Sequence, residues 1–429
     1  MSLAHLGDEN IKRYGEYEAL AFEGRRWTNV DQHRAACRTA HTLQRLGVEP
    51  GDRVIVMLPN CPEVMQSYGG ILRVGGVIVP VIFLLGEAEV AHILADSEAK
   101  VVITSSDMLW KVEKQIGVLP SLHHVLLIDG GGQGNVRSFA EEITRESDHF
   151  DAVPRAEGDL AVILYTSGTT GTPKGVALSH ANLESNAHSA ASLSELDRER
   201  WGVGVLPLSH SYGLTVMNAG HILGTRAALL RWFNPDDVLR TIEEFRAEAM
   251  SGVPTMFVYL LHYPEASRYD TSTMRLWGSG AAPLPVEIVE PFERRFGGKL
   301  LEGYGLTEAS PVVSAHRLSG VRKLGSVGPP IPGVTVSIRD DEEALYAFPA
   351  VAEAAVIGRP DRLMGEEVVA FVVLKPGQTA TADEVMSFCQ SRLARYKCPK
   401  EIRFVDALPK SPVGKILRKE LRGQARTQT

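Results

Sequence analysis

Apolar runs and amphipathic stretches take turns along the first 130 residues. "LQRLGVEPGDRVIVMLPN" ends a helix at Gly47, turns through Pro50, Gly51 and Asp52, and enters a strand-like run from Arg53 to Leu58. "AEVAHILADSEAKVVITSS" repeats the pattern, a helix to about Ser97 and then a strand from Val101 to Thr104. Such alternation predicts α/β layers around a largely parallel sheet. "GGGQGN", Gly130 to Asn135, reads as a loop, and "LAVILY", Leu160 to Tyr165, as a buried strand that runs straight into "YTSGTTGTPKGV", Tyr165 to Val176. "GVALSHANLESN" then gives a short strand and a helix starting at Ser179. From Glu343 a second α/β pattern begins: "EALYAF" helix-like, "AEAAVIGRP" and "VVAFVVLKPG" strand-like, "ADEVMSFCQSRL" helix-like, "EIRFVDALP" strand-like. The predicted fold is therefore α/β, with a large N-terminal domain of layered sheets and helices over 1–340 and a small α/β C-terminal domain over 341–429. Neither an internal repeat nor a low-complexity segment interrupts this organisation.

A length of 429 residues exceeds one ordinary core and agrees with two domains. The net charge of -7 argues against general nucleic-acid binding. From Arg392 to Arg426, however, eleven Lys or Arg face only Glu401, Asp406 and Glu420, which suits either a solvated face or an anion-facing lid. Cys37, Cys61, Cys389 and Cys398 show no zinc-like spacing and read as reduced packing residues of a cytoplasmic protein. The N-terminus shows no basic region followed by an apolar core, so no secretory signal is expected. The longest uncharged apolar stretch, Val74 to Gly86, is too short for a membrane span and carries Pro80; it reads as buried core.

The stretch Tyr165 to Val176 carries the candidate chemistry. Gly168, Gly171 and Gly175 let successive N–H groups converge on an anion, Thr166, Ser167, Thr169, Thr170 and Thr172 add hydroxyls, and Lys174 adds a positive charge. A polyphosphate fits this set; a mobile surface turn is the alternative. A Walker-type loop is excluded, because Pro173 precedes the lysine, Gly175 follows it and the exit is strand-like.

This stretch resembles the signature of the adenylate-forming superfamily, which comprises acyl-CoA synthetases, nonribosomal adenylation domains and luciferase. "LPLSHSYGL", "GSGAAPLP", "GYGLTEAS", "GSVGPPIPGV" and "PKSPVGKILRKEL" follow in the family's order, and the likeness spans nearly the whole chain. It implies that a carboxylate attacks the α-phosphate of ATP, giving an acyl-adenylate and pyrophosphate, and that coenzyme A then displaces AMP. The resemblance assigns the β- and γ-phosphates to the glycine-rich loop. Tyr304, Ala282 and Pro283 fall to adenine, Thr307 to the α-phosphate, Glu308 to Mg2+ and His210 to the junction of acyl and phosphate pockets. Lys415, in the small lid domain, would reach the reacting carboxylate. Bland readings stand beside these: a Thr-Glu pair also suits a helix start, a lone histidine is often structural, and a tail lysine is often solvated. The implied partners are a fatty or aryl acid and, as assembly, a homodimer, with no nucleic acid and no membrane span.

The resemblance breaks at one place. After "GVTVSIRDDE" the family runs on for tens of residues, including a Thr-Gly-Asp stretch that grips ribose, an Asp-Arg hinge and a Gly-rich hairpin at the pantetheine tunnel. Here "EALYAFPAVAEAAVIGRPD" follows directly. Asp340, Asp341 and Glu342 are acidic but sit in the wrong context for those roles. Either the protein lacks this segment or the chain as written skips it. Three functions stay open: an acid:CoA ligase, an adenylate-forming enzyme that loads a carrier protein, and an impaired nucleotide- or acyl-binding relative.

Overall fold

Thr28 starts the helix Asn29–Arg45 with a reciprocal cap, its hydroxyl accepting from the Asp31 N–H while the Asp31 carboxylate accepts from the Thr28 N–H. Against this helix lies Pro62–Arg73, and the two approach closely because Gly69 and Gly70 face Ala36 and Thr39. A Cβ on Gly70 would sit 2.6 Å from the Thr39 side chain. Ser179 caps the helix His180–Ala191 in the same reciprocal way, at the residue where the sequence places its start.

The computed structural model describes residues 2–166, 173–337, 345–361, 365–393, 398–410 and 416–426. The chain divides into two units, Met1–Thr335 and Val336–Thr429.

The first unit contains two large sheets. One has seven strands, in the order Val136–Ser138, His124–Leu127, Val101–Thr104, Arg53–Val56, Val77–Pro80, Leu160–Thr166 and Lys174–Ser179. Its neighbours are parallel except for the last two, which form an antiparallel hairpin. Continuous runs such as "VVIT" fit strands covered on both faces; Val101, Val102 and Ile103 are fully buried. The other sheet has eight strands, in the order Val312–Ala315, Lys299–Gly305, Leu276–Ser279, Ala249–Gly252, Trp201–Gly204, Arg226–Leu229, Glu18–Phe22 and Arg25–Thr28. Six parallel strands in its middle are flanked by an antiparallel strand at each edge.

One core, containing Leu43, Val56, Tyr68, Ile71 and Leu229, packs residues of both sheets against the paired helices. A second lies under the opposite face of the eight-stranded sheet, where Trp277, Phe257 and Phe292 meet edge to face, with Trp277 and Phe292 centroids 5.0 Å apart, and Phe296 packs tilted against them. The stretch read as buried core, Val74 to Gly86, departs from that reading at its end. Val74 to Val81 are buried, but the chain leaves the sheet after Pro80 and Leu84 is 77% exposed.

The second unit is a three-stranded sheet in which Val351–Asp361 runs antiparallel to Gly365–Leu374 and Glu401–Phe404 runs parallel to it. Val385 and Cys389 of the helix Ala382–Gln390 pack with Ala370 and Val372 on one face of this sheet, and Leu421 and Ala425 with Val369 and Phe371 on the other. All four cysteines are buried free thiols. Among the described residues no helix is long and apolar enough to cross a membrane.

Candidate functional site

The glycine-rich stretch joins the two antiparallel strands of the seven-stranded sheet. Thr166 ends one strand and Lys174 begins the next, paired in register, while Ser167, Gly168, Thr169, Thr170 and Gly171 lie outside the described residues. The flanks of the loop are tied to the helix Glu87–Ser97. The Tyr165 hydroxyl donates to the Asp96 carboxylate at 2.6 Å, and the His92 ring meets the Pro173 carbonyl at 3.2 Å. Burial and the adjacent carboxylate push the Tyr165 phenol well above its ordinary pKa, so it stays protonated and keeps donating. Lys174 is exposed at the mouth of the hairpin.

Beside the strand Lys174–Ser179 lies a short 3-10 turn, Thr307–Ala309. Gly305 permits the approach to this turn, since a Cβ there would come within 2.4 Å of the Pro311 carbonyl oxygen. Asn186 pins the turn's exit: its amide donates to the Val312 carbonyl at 2.8 Å, and its carbonyl accepts from the Val312 N–H at 3.1 Å. Thr307 is half-buried and donates to the Ser211 hydroxyl at 3.3 Å, whereas Glu308 is exposed. Among the described residues no group of three or more His, Cys, Asp or Glu gathers into a metal cage. One exposed carboxylate beside the strand Lys174–Ser179 has the chemistry to join a magnesium ion held mainly by substrate oxygens and water.

His210 caps the helix Ser211–Leu223, its Nδ1 accepting from the Tyr212 N–H at 3.2 Å. That hydrogen bond fixes the tautomer with the proton on Nε2, and burial lowers the pKa so that the ring stays neutral. Gly213 allows this helix start to press on the preceding loop, where a Cβ would stand 2.2 Å from the Pro207 carbonyl oxygen. The sequence gives His210 a place by resemblance, but it carries no mark of Ser211 as partner of Thr307, 96 residues away.

Under this helix lies a cavity of about 530 Å3. Its floor is one face of the eight-stranded sheet, and the register explains why the space is open. Leu20, Ala227, Gly202, Ala249 and Leu276 form one row across the strands, and next to it run Gly204, Ser251 and Gly278. Small side chains at the centre of that face leave a slot where larger ones would fill the layer. From Val312–Ala315 to Glu18–Phe22 the floor crosses six interstrand spacings, about 29 Å. His210, Tyr212 and Tyr304 stand on its wall.

Tyr304 is 49% exposed, and Ala282 and Pro283 are exposed in the loop that follows Leu276–Ser279. The Glu302 carboxylate, two residues before Tyr304, accepts from the Leu284 N–H at 3.0 Å and so ties that loop to the tyrosine's strand. Lys415 lies outside the described residues, as do Asp340, Asp341 and Glu342.

Residues 7–352 match the AMP-binding enzyme family, and residues 341–415 match the AMP-binding enzyme C-terminal domain. The chain is 33% identical to a long-chain-fatty-acid--CoA ligase of Bacillus subtilis, over 98% of this chain and 94% of the relative. It is 28% identical to a feruloyl-CoA synthase of an Amycolatopsis species, over 94% and 95%. The fold resembles the ATP-bound crystal structure of MatB from Rhodopseudomonas palustris with a TM-score of 0.71 at 26% identity, covering 100% of this chain and 99% of that one. The alignment with the Bacillus ligase runs over 526 positions, so at least 97 of them have no counterpart among these 429 residues. Motif order, the neutral histidine over the slot and the match over most of the chain converge: the chain belongs to the AMP-binding enzymes of the adenylate-forming superfamily.

Proposed function

We propose how the residues of this chain share the work of the family's two-step reaction. The protein is an ATP-dependent carboxylic acid:CoA ligase that forms an acyl-adenylate with release of pyrophosphate, then transfers the acyl group to coenzyme A with release of AMP. Two anions must meet in the first step, so N–H dipoles and cations belong where negative charge accumulates. Ser167, Gly168, Thr169, Thr170 and Gly171, with Thr166 and Lys174 at their flanks, hold the β- and γ-phosphates. Thr307 donates to the α-phosphate, Glu308 holds Mg2+, and Tyr304, Ala282 and Pro283 receive adenine. When bound, Mg2+ screens the triphosphate charge. His210 offers a neutral N–H donor to an oxygen of the reacting carboxylate without adding a charge. The unit 1–335 binds ATP and acid, and the C-terminal unit serves as lid and brings Lys415 to the carboxylate and α-phosphate.

One observation carries this reading above the others: a long slot with a small-residue floor is walled at one end by the neutral His210, whose helix is hydrogen-bonded to Thr307. An apolar slot of this kind suits fatty or aryl acids, and the names of the Bacillus and Amycolatopsis relatives agree with both. ATP–pyrophosphate exchange with short, medium, long and aromatic acids tests the assignment. Acid-dependent exchange is expected; ATP binding without exchange for every acid would favour the second reading, a catalytically impaired nucleotide- or acyl-binding relative. That second reading draws on the 97 or more missing aligned positions, and a third, delivery to a carrier protein, would show as exchange without reaction on free CoA.

A further inference from the structure

The end of the slot remote from His210 is not apolar. Asn10 donates to the His221 carbonyl at 2.7 Å and to the Tyr17 hydroxyl at 3.1 Å, and Asn29 donates to the Asn10 side-chain carbonyl at 2.9 Å. Gln32, one helical turn on from Asn29, is 7% exposed and lines the cavity, yet neither its amide nitrogen nor its amide oxygen has a partner. Leaving a buried amide unpaired is costly, so such a group points to something that completes it. Asn218, 7% exposed, lies on the same face of its helix as His221 and also lines the cavity. The His221 Nδ1–H donates to the Met217 carbonyl at 3.0 Å, which leaves Nε2 as an acceptor.

The charge at this end narrows the chemistry. Arg73 commits all five N–H groups, to Asp8, Ala4 and Phe150. Burial holds His33 and His221 toward their neutral forms. Arg226 also lines the cavity and its charge reaches Tyr17, but a second carboxylate has no proton to donate to the His221 Nε2 acceptor, whereas a hydroxyl, which both donates and accepts, matches the Gln32 amide and that nitrogen. Counted along the helix at 1.5 Å per residue, Asn218 and His221 stand about 12 to 17 Å from His210.

We infer that the slot selects acids carrying a neutral hydrogen-bonding group, a hydroxyl, at the far end of a medium-length chain, and that Gln32, Asn218 and His221 receive it. This rests on the reading of the slot as the acid site. Calorimetric titration of the full chain with dodecanoic acid and with ω-hydroxydodecanoic acid tests it. Wild type binds the hydroxylated acid about tenfold more tightly, and Gln32→Leu abolishes or inverts that ratio while retaining dodecanoic acid binding. Asn218→Leu, a change on a different helix, shifts the ratio in the same direction. Tighter binding of plain dodecanoic acid by wild type, or a ratio unaffected by both substitutions, overturns the inference. Because binding is read without turnover, pyrophosphate exchange run alongside separates the two ideas: absence of exchange with every acid defeats the ligase reading alone.

Discussion

Each motif residue owes its role to a neighbour that fixes it. Among the described residues no acidic cage gathers round Glu308, so the metal role proposed for it depends on substrate phosphates. Glu308→Gln should raise the Mg2+ concentration needed for half-maximal adenylation several-fold, since an amide binds a hard cation less well; an unchanged magnesium titration would remove Glu308 from the metal site. Lys415→Ala should depress adenylation by about two to four orders of magnitude, the loss of a charge contact in the transition state, yet leave synthetic acyl-adenylate able to react with CoA. Equal loss in both half-reactions would count against its assignment. At this scale the sequence identified the residue types: a glycine and hydroxyl run around Lys174, a Thr-Glu pair, a histidine. It did not show their partners, because Ser211 and Thr307, or Asn186 and Val312, meet only after more than ninety residues of chain have folded between them.

Among the elements, alternation of helix and strand was readable because period and caps are local. The helix start at Ser179 and the strand Val101–Thr104 appear where the residues place them. Strand order was not readable, since it comes from packing: Trp201–Gly204 is inserted between Ala249–Gly252 and Arg226–Leu229, and that insertion sets Gly202 and Gly204 in the middle of the cavity floor. Local sequence equally hides the close contact of the helices Asn29–Arg45 and Pro62–Arg73. A Cβ at Gly70 would meet Thr39 at 2.6 Å, so Gly70→Val should lower stability by about 1–3 kcal/mol. Chemical denaturation measures this, and an unchanged midpoint would mean that the helices separate at no cost.

For the whole molecule, stability is coupled to pH through a buried histidine that does not line the cavity. His180 is fully buried at the start of its helix, with Nε2 unpaired. Desolvation, reinforced by Arg155, pushes its pKa down to about 4 from 6.5. The unfolded chain therefore binds this proton between pH 6.5 and 4 while the folded chain does not, so stability falls as pH drops through that window, by roughly 3 kcal/mol for this group, and the slope ends below pH 4. His180→Asn should flatten that part of the Tm-against-pH curve; the same slope in the variant would place its cause elsewhere. The long slot was not readable from the sequence, because it depends on which small residues share one face of a sheet built from distant segments.

The most direct test of the account is mass spectrometry of quenched single turnovers with a medium-chain acid, ATP and Mg2+, first without and then with coenzyme A. An enzyme-bound acyl-adenylate is expected in step with pyrophosphate release, converted on addition of coenzyme A into an acyl-CoA thioester and AMP in equal amounts. ATP cleaved to ADP and phosphate, or no adenylate from any acid while ATP still binds, would contradict it.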